Sequence, residues 1–402
     1  MLSIEQAQEI LFKDTPPMRV IRRPLQDCLG YVLTEDVVCR EDHPSFDRSM
    51  MDGYAVNAAD LAQAPVTLPL AGEIAAGHTR VPPLKSGNCV SIMTGAPLPP
   101  GANAVLQLEK TKKDGDSITF LESVKEGNNV EVRGNEAKKG QVVLKATQII
   151  RSQELAVLAM FGIPEVSVYR KPTVGMIATG DELVEPEVEP EFGQIRNSNG
   201  YSVRAQVIGM GLECDYLGIA RDDKDDLRNK IRLGLAKYDI LILSGGVSAG
   251  VYDLVIETLR EEAVEFGLHK IAIKPGKPFF YGRRRENRVF GLPGNPVSSF
   301  ITFEVFVRPF LGMMHGRRSA NPRIKAKLKT STGKPIDRVH YIPGKLSYPG
   351  EFVVEPIAYR GSGDMISITH ANCFVIVPIG VSYQPGDIAE IMMMGNTVWS
   401  QK

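Results

Sequence analysis

Between residues 172 and 316, short apolar runs of strand length alternate with segments of helix length, and this alternation limits the fold more than any other feature of the chain. Residues 174–178, 214–219, 240–243, 270–273 and 289–292 read as strands. Segments 199–211, 223–236, 251–262 and 297–311 read as helices. Strands that alternate with helices imply a parallel sheet with crossover helices. Ligands of such sheets bind beyond the carboxyl ends of the strands. The turns that follow these strands are therefore the places to look for chemistry. They are TGDEL (179–183), RDD (221–223), SGGVSAG (244–250), KPGKP (274–278) and PGNP (293–296).

In SGGVSAG, the glycines allow close backbone approach, and the amides at the start of the next helix suit an anion such as phosphate. Ser244, Gly245, Gly246 and Ser248 are the candidate contacts. The loop lacks the Gly-Lys-Ser/Thr of a nucleotide P-loop and the glycine spacing of the dinucleotide fingerprint. Asp181, Glu182, Asp222, Asp223 and Asp253 bring carboxylates from three strand ends. Beside a phosphate they imply an intervening hard cation, and magnesium is the usual one. One of Asp222 and Asp223 is expected to be a helix cap, a common place for Asp. Lys270, Lys274 and Lys277 surround one turn-rich segment, and the Lys274-Pro-Gly-Lys277 turn fixes two ammonium groups in a way that suits an oxyanion. Pro293, Gly294, Asn295 and Pro296 form a rigid turn that doubles as a pocket wall.

The flanking regions differ. Ser3 and Gln6 form a capping-box pattern ahead of a short helix, and helical spacing continues over 19–40 through Leu25, Leu29, Val32 and Leu33. From 43 to 142, short β-type runs alternate with Gly/Pro turns. A helix (152–162) and a strand (165–169) follow, and 317–402 reads as a small β domain. The expected organisation is a discontinuous N-terminal mixed domain (1–42 plus 143–171), an inserted β-rich domain (43–142), the α/β domain (172–316) and a C-terminal β domain (317–402). Lys plus Arg and Asp plus Glu number 47 each, so no net field draws the chain to nucleic acid or anionic lipid. The five cysteines are scattered, against a zinc site or a disulfide framework and consistent with the reducing cytoplasm. The histidines form no metal-spaced pair and the serines no triad. No apolar run approaches the ~18 residues of a membrane span.

At these residues the chain resembles the MoeA-type molybdopterin molybdenumtransferases and is similar to the E domain of gephyrin. The resemblance runs through FDRSMMDGYA (46–55), IMTGAPLPPGANAV (92–105), TGDEL, GQIRNSNGY (193–201), SGGVSAG with Asp253, KIAIKPGKP (270–278), GLPGNPVS (291–298) and RGSGDM (360–365). It implies a four-domain subunit whose α/β domain is of the MogA-like, molybdopterin-binding kind. It also implies a homodimer with the active site between subunits, and a molybdopterin adenylyltransferase as a further partner. The implied substrates are adenylylated molybdopterin and molybdate. The anhydride would be hydrolysed with magnesium and AMP released. Asp52 and Thr94 match the wall supplied by the β-rich domain. Glu182, Asp222 and Asp253 match the acids of the α/β domain, here assigned to the metal, Lys270 and Lys274 the lysines, and Pro293 and Pro296 the rigid turn. Arg48 and Met50 stand where the family usually has Asn and Ala. Glu136 stands where Asp is common, and Asn103 where an acid is frequent.

Two rival functions differ in what they need. An adenylyltransferase can consist of the α/β domain alone, without FDRSMMDGYA. A receptor-binding scaffold has no need of acids and lysines at successive strand ends. Tungstate, a tetrahedral oxyanion like molybdate, fits the same motifs.

Overall fold

The computed structural model describes residues 1–13, 15–246, 254–317 and 321–395. Their contacts group into two units. One comprises Met1–Thr34, Thr147–Arg151 and Glu165–Lys402, and the other Glu35–Ala146 and Ser152–Pro164.

The α/β part of the first unit contains strands β1 (Val174–Thr179), β2 (Cys214–Ala220), β3 (Ile240–Ser244), β4 (Glu265–His269), β5 (Phe280–Arg284) and β6 (Asn287–Leu292). Its helices are α1 (Asn199–Ile208), α2 (Lys224–Lys237), α3 (Leu254–Glu261) and the helical run α4 (Pro296–Met314). The strand order is 2-1-3-6-5-4. β2, β1, β3 and β6 are parallel, as the alternation requires. β5 and β4 are antiparallel additions. The parallel expectation fails there because only Arg285 and Glu286 separate β5 from β6, and a two-residue connection can join only antiparallel strands.

β1 and β3 are buried along their whole length, which is why they read as unbroken apolar runs. Successive side chains point to opposite faces. Ile240 and Ile242 pack with Val203 and Val207 of α1 and with the apolar side of α4. Leu241 and Leu243 pack with Leu227 and Ile231 of α2 and Val255 and Leu259 of α3. Burying each such side chain fully contributes about 1.5–3 kcal/mol. α4 is long and apolar enough to cross a bilayer, contrary to the sequence expectation, but 89% of it is buried inside the protein. Its two charges, Glu304 and Arg308, hide its length in the sequence. In the fold they pair with each other in the interior.

Two further expectations change. Residues 270–273 are not a strand of this sheet: β4 ends at His269, Lys270 has φ +67°, and Ile273–Lys274 pairs with Val339–Ser347 of the C-terminal domain. The stretch 19–40 is not helical. Val20–Pro24 is a strand paired with Glu165–Tyr169, followed by one 3-10 turn, Leu25–Asp27. Pro24 and Gly30 interrupt any longer helix. The capping box at the N-terminus does form, with Ser3 N–H donating to Gln6 (2.9 Å) and Gln6 N–H to the Ser3 hydroxyl (3.2 Å). In the C-terminal domain, Arg323–Leu328, Val339–Ser347, Val353–Pro356, Cys373–Val377 and Ile388–Met393 pair around a closed circuit, a small five-stranded barrel.

The second unit carries a six-stranded sheet in the order Ala104–Gln107, Gly53–Val56, Cys89–Ile92, Val66–Ile74, Ser117–Phe120, Thr111–Asp114. Tyr54, Leu68, Leu106, Ile118 and Phe120 form its main core.

Candidate functional site

Two adjoining cavities lie in the first unit. The first, about 400 Å³, opens where the chain crosses from β2 over β1 to β3, the switch point at which open α/β sheets bind ligands. Thr179 from the end of β1, Glu182, Ser244, Gly245 and Gly246 after β3, and Pro293, Gly294, Asn295 and Pro296 after β6 all line it. Gly245 has φ +96°, and a side chain there would run into the Thr179 carbonyl, so only glycine lets the loop turn this closely. Pro296 opens α4 at the cavity wall, so the positive end of that helix faces the cavity, as suits an anion.

Asn199 ties this floor together. It is buried, and its amide donates to Ser244 Oγ (2.8 Å) and to the Gly294 carbonyl (2.7 Å), joining the loops after β3 and β6. The sequence offered its signal only as part of GQIRNSNGY. The neighbouring Asn197 also lines the cavity and donates to the Tyr216 hydroxyl (2.7 Å), which in turn donates to Glu185 (2.7 Å). In the acidic run 185–191 after β1, Glu185 is held in this way and Glu189 pairs with Arg196 (2.8 Å).

The acids occupy different stations. Glu182 is exposed at the cavity wall. Asp223 is the cap of α2, with Oδ1 accepting from the amides of Asp225 (3.0 Å) and Asp226 (2.9 Å). That leaves Asp222 exposed beyond β2, its own amide donating to Asp181 (3.0 Å). Asp253 and Ser248 lie outside the described residues, and among the described residues no three metal-ligating side chains converge.

The second cavity, about 480 Å³, shares Pro278, Asn295 and Ser298 with the first. Lys274 and Lys277 line it together with Arg338, His340 and Tyr359 from the barrel side. The Lys274–Pro275 peptide is cis. Neither lysine pairs with a carboxylate among the described residues, whereas Arg338 sits 3.2 Å from the exposed Asp337. Arg338, His340 and Tyr359 could not be anticipated from motifs, because they reach this wall through the pairing of Ile273–Lys274 with the barrel. Lys270 lines neither cavity; its amide donates to the Phe279 carbonyl (3.0 Å).

In the second unit, Gly53 pairs with Ile92 in antiparallel register, which sets Asp52 beside the turn after Ile92. Thr94 donates both its amide and its hydroxyl to Asp52 Oδ1, each at 2.7 Å. The amide and then the hydroxyl hold this carboxyl below the usual carboxylate range. Arg48 is bound to Glu131 (2.7 Å) and Glu136 (3.3 Å), so its charge is met within its own unit. Asn103 accepts from the Ala58 amide (2.7 Å), a contact within the fold of that unit.

Known families match the chain in three successive segments. Residues 2–162 match the MoeA N-terminal region (domain I and II), 175–313 the probable molybdopterin binding domain and 325–394 the MoeA C-terminal region (domain IV). A Staphylococcus aureus molybdopterin molybdenumtransferase is 34% identical over 403 residues, covering 98% of this chain and 95% of that protein. A Staphylococcus epidermidis protein of the same name is 32% identical over 400 residues, with 98% and 95% covered. The crystal structure of a molybdopterin biosynthesis MoeA protein from Pyrococcus horikoshii superposes with a TM-score of 0.83 at 33% identity, covering 99% of this chain and 100% of that one. Sequence and fold agree along the whole length, and the chain belongs to the MoeA family.

Proposed function

We propose that the chain is a molybdopterin molybdenumtransferase. It binds adenylylated molybdopterin and molybdate, hydrolyses the phosphoanhydride, releases AMP and leaves molybdenum on the dithiolene. The observation that carries this reading is the shared wall of two chemically different cavities. One offers a glycine turn, a serine hydroxyl and a helix start to a pyrophosphate. The other offers Lys274 and Lys277, unpaired with acids among the described residues, to a tetrahedral oxyanion. With Pro278, Asn295 and Ser298 common to both, two anions bound there would be neighbours, and catalysis would come mainly from positioning and charge.

The exposed carboxylates of Glu182 and Asp222 are hard oxygen donors at adjacent strand ends, a set that fits magnesium shared with substrate phosphates; with Asp253 as third acid, the ion would supply neutralisation of the anhydride charge. Ser244, held by Asn199 at the 244–246 turn, orients one phosphate oxygen. Lys274 and Lys277 hold the oxyanion. Asp52 and Thr94, contributed by a second copy of the chain, would complete the site in a homodimer. The substrate is the product of an adenylylation, so a molybdopterin adenylyltransferase is the partner expected to supply it. Five cysteines without disulfides, all buried, suit a cytoplasmic enzyme.

The test is product formation. Incubating the protein with adenylylated molybdopterin, molybdate and magnesium, then adding an apo-molybdoenzyme, should restore that enzyme's activity. Tight binding of adenylylated molybdopterin without restoration would contradict the proposal.

A further inference from the structure

The oxyanion cavity contains a titratable ring for which the reaction described so far has no use. His340 stands opposite Lys274 in the parallel pairing and opposite Val377 on its other edge. It lines the cavity with Lys274, Lys277 and Arg338, and no acidic side chain lines it among the described residues. Its Nε2 lies 2.8 Å from the Tyr359 hydroxyl, another lining residue. This bond fixes the imidazole and leaves Nδ1 without a hydrogen-bond partner among the described residues, though not sealed from solvent. Lys274 stands opposite His340 in the neighbouring strand, Arg338 lies just before the strand of His340, and Lys277 shares the cavity from the 275–278 turn. Burial first, then Lys274 and Arg338, push the imidazole down to about 4, so the ring is neutral at pH 7. Burial raises the Tyr359 phenol to about 12, so its hydroxyl keeps its proton.

We infer that His340, aligned by Tyr359, orients the oxyanion in this cavity and takes up one proton when the anion binds. The inference rests on the reading of the cavity as the oxyanion site. A dianion beside Lys274 and Arg338 cancels the field that disfavours imidazolium. The proton comes from solvent. In the charged ring one N–H donates to the Tyr359 oxygen, which turns from donor to acceptor, and the Nδ1–H donates to the anion. No covalent bond to the anion forms. The sign follows from linkage: the ring's pKa is higher in the complex than in the free protein, so affinity rises as pH falls through the complexed value.

Sulfate is a suitable probe, being a tetrahedral dianion that keeps its charge across pH 5.5–7.5. Calorimetric titration of sulfate into the full-length protein, in two buffers of different ionisation enthalpy, reads affinity and proton uptake together. For wild type we expect affinity to rise roughly three- to tenfold from pH 7.5 to 5.5, with buffer-dependent heats. His340→Gln should bind without the pH slope and without proton uptake, and Tyr359→Phe should keep binding with a reduced slope. Equal slopes and buffer-independent heats in wild type and His340→Gln would overturn the role of His340 while leaving the cavity as an oxyanion site. No saturable binding of sulfate or of molybdate to wild type, or binding untouched by Lys277→Gln, would overturn the reading of the cavity and this inference with it.

Discussion

Asn199 and Asp223 are both short polar residues near helix starts, yet they serve different ends. Asp223 spends its carboxylate on the first amides of α2. Removing such a cap costs about 1 kcal/mol. Asp223→Ala should therefore lower the urea midpoint modestly and leave phosphate affinity in the first cavity unchanged. Asn199 is buried and joins Ser244 to Gly294. Asn199→Ala leaves a buried carbonyl and hydroxyl short of a donor, a loss of about 1–3 kcal/mol. Denaturation should record that cost, and AMP binding should weaken as well, because the two loops that frame the cavity lose their common tie. If AMP affinity were untouched, Asn199 would be a packing residue only. The sequence could narrow the capping role to Asp222 or Asp223 but could not choose, since the choice depends on where β2 ends.

At the scale of elements, the loop from Lys270 to Pro278 decides how the second cavity is built. Gly276 has φ +119°, and a Cβ there would press into Thr302 of α4. Gly276→Ala should cost at least about 1 kcal/mol and displace Lys277, so molybdate affinity should fall alongside the melting temperature. α4 makes a second prediction. Its turn Phe303–Val307 is π-helical, and Glu304 inside it accepts from Arg308 (2.8 Å), Gln206 (2.7 Å) and Asn321 (2.9 Å). Arg308→Met would strand a buried carboxylate and should destabilise by about 3–5 kcal/mol in chemical denaturation. These elements also mark what was legible beforehand. β1, β3 and β6 were readable because burial on both faces leaves continuous apolar runs. The loop after β3 was readable because its glycines stand between a strand and a helix. Strand β5, the strand at Val20–Pro24 and the barrel strands Arg323–Leu328 and Val339–Ser347 were not, because their apolar residues are interspersed with Lys, Arg, Pro and Gly. Only pairing with distant segments gives them a buried side.

For the whole molecule, the proposal draws Asp52 and Thr94 from a second copy of the chain, which makes a dimer its minimal active form. Sedimentation should show a dimer. Asp52→Ala and Glu182→Ala should each be inactive alone, and an equal mixture after subunit exchange should regain roughly a quarter of wild-type activity, since half the dimers then hold one intact site. A fully active monomer would remove Asp52 and Thr94 from the site. The account as a whole turns on coupling between the anhydride and the oxyanion. AMP release from adenylylated molybdopterin, with magnesium and with or without molybdate, measures that coupling directly in wild type and in Lys277→Gln. The account predicts release that depends on molybdate in wild type and needs far more molybdate in Lys277→Gln. Release at the same rate without molybdate, or a molybdate dependence unaltered by Lys277→Gln, would contradict it.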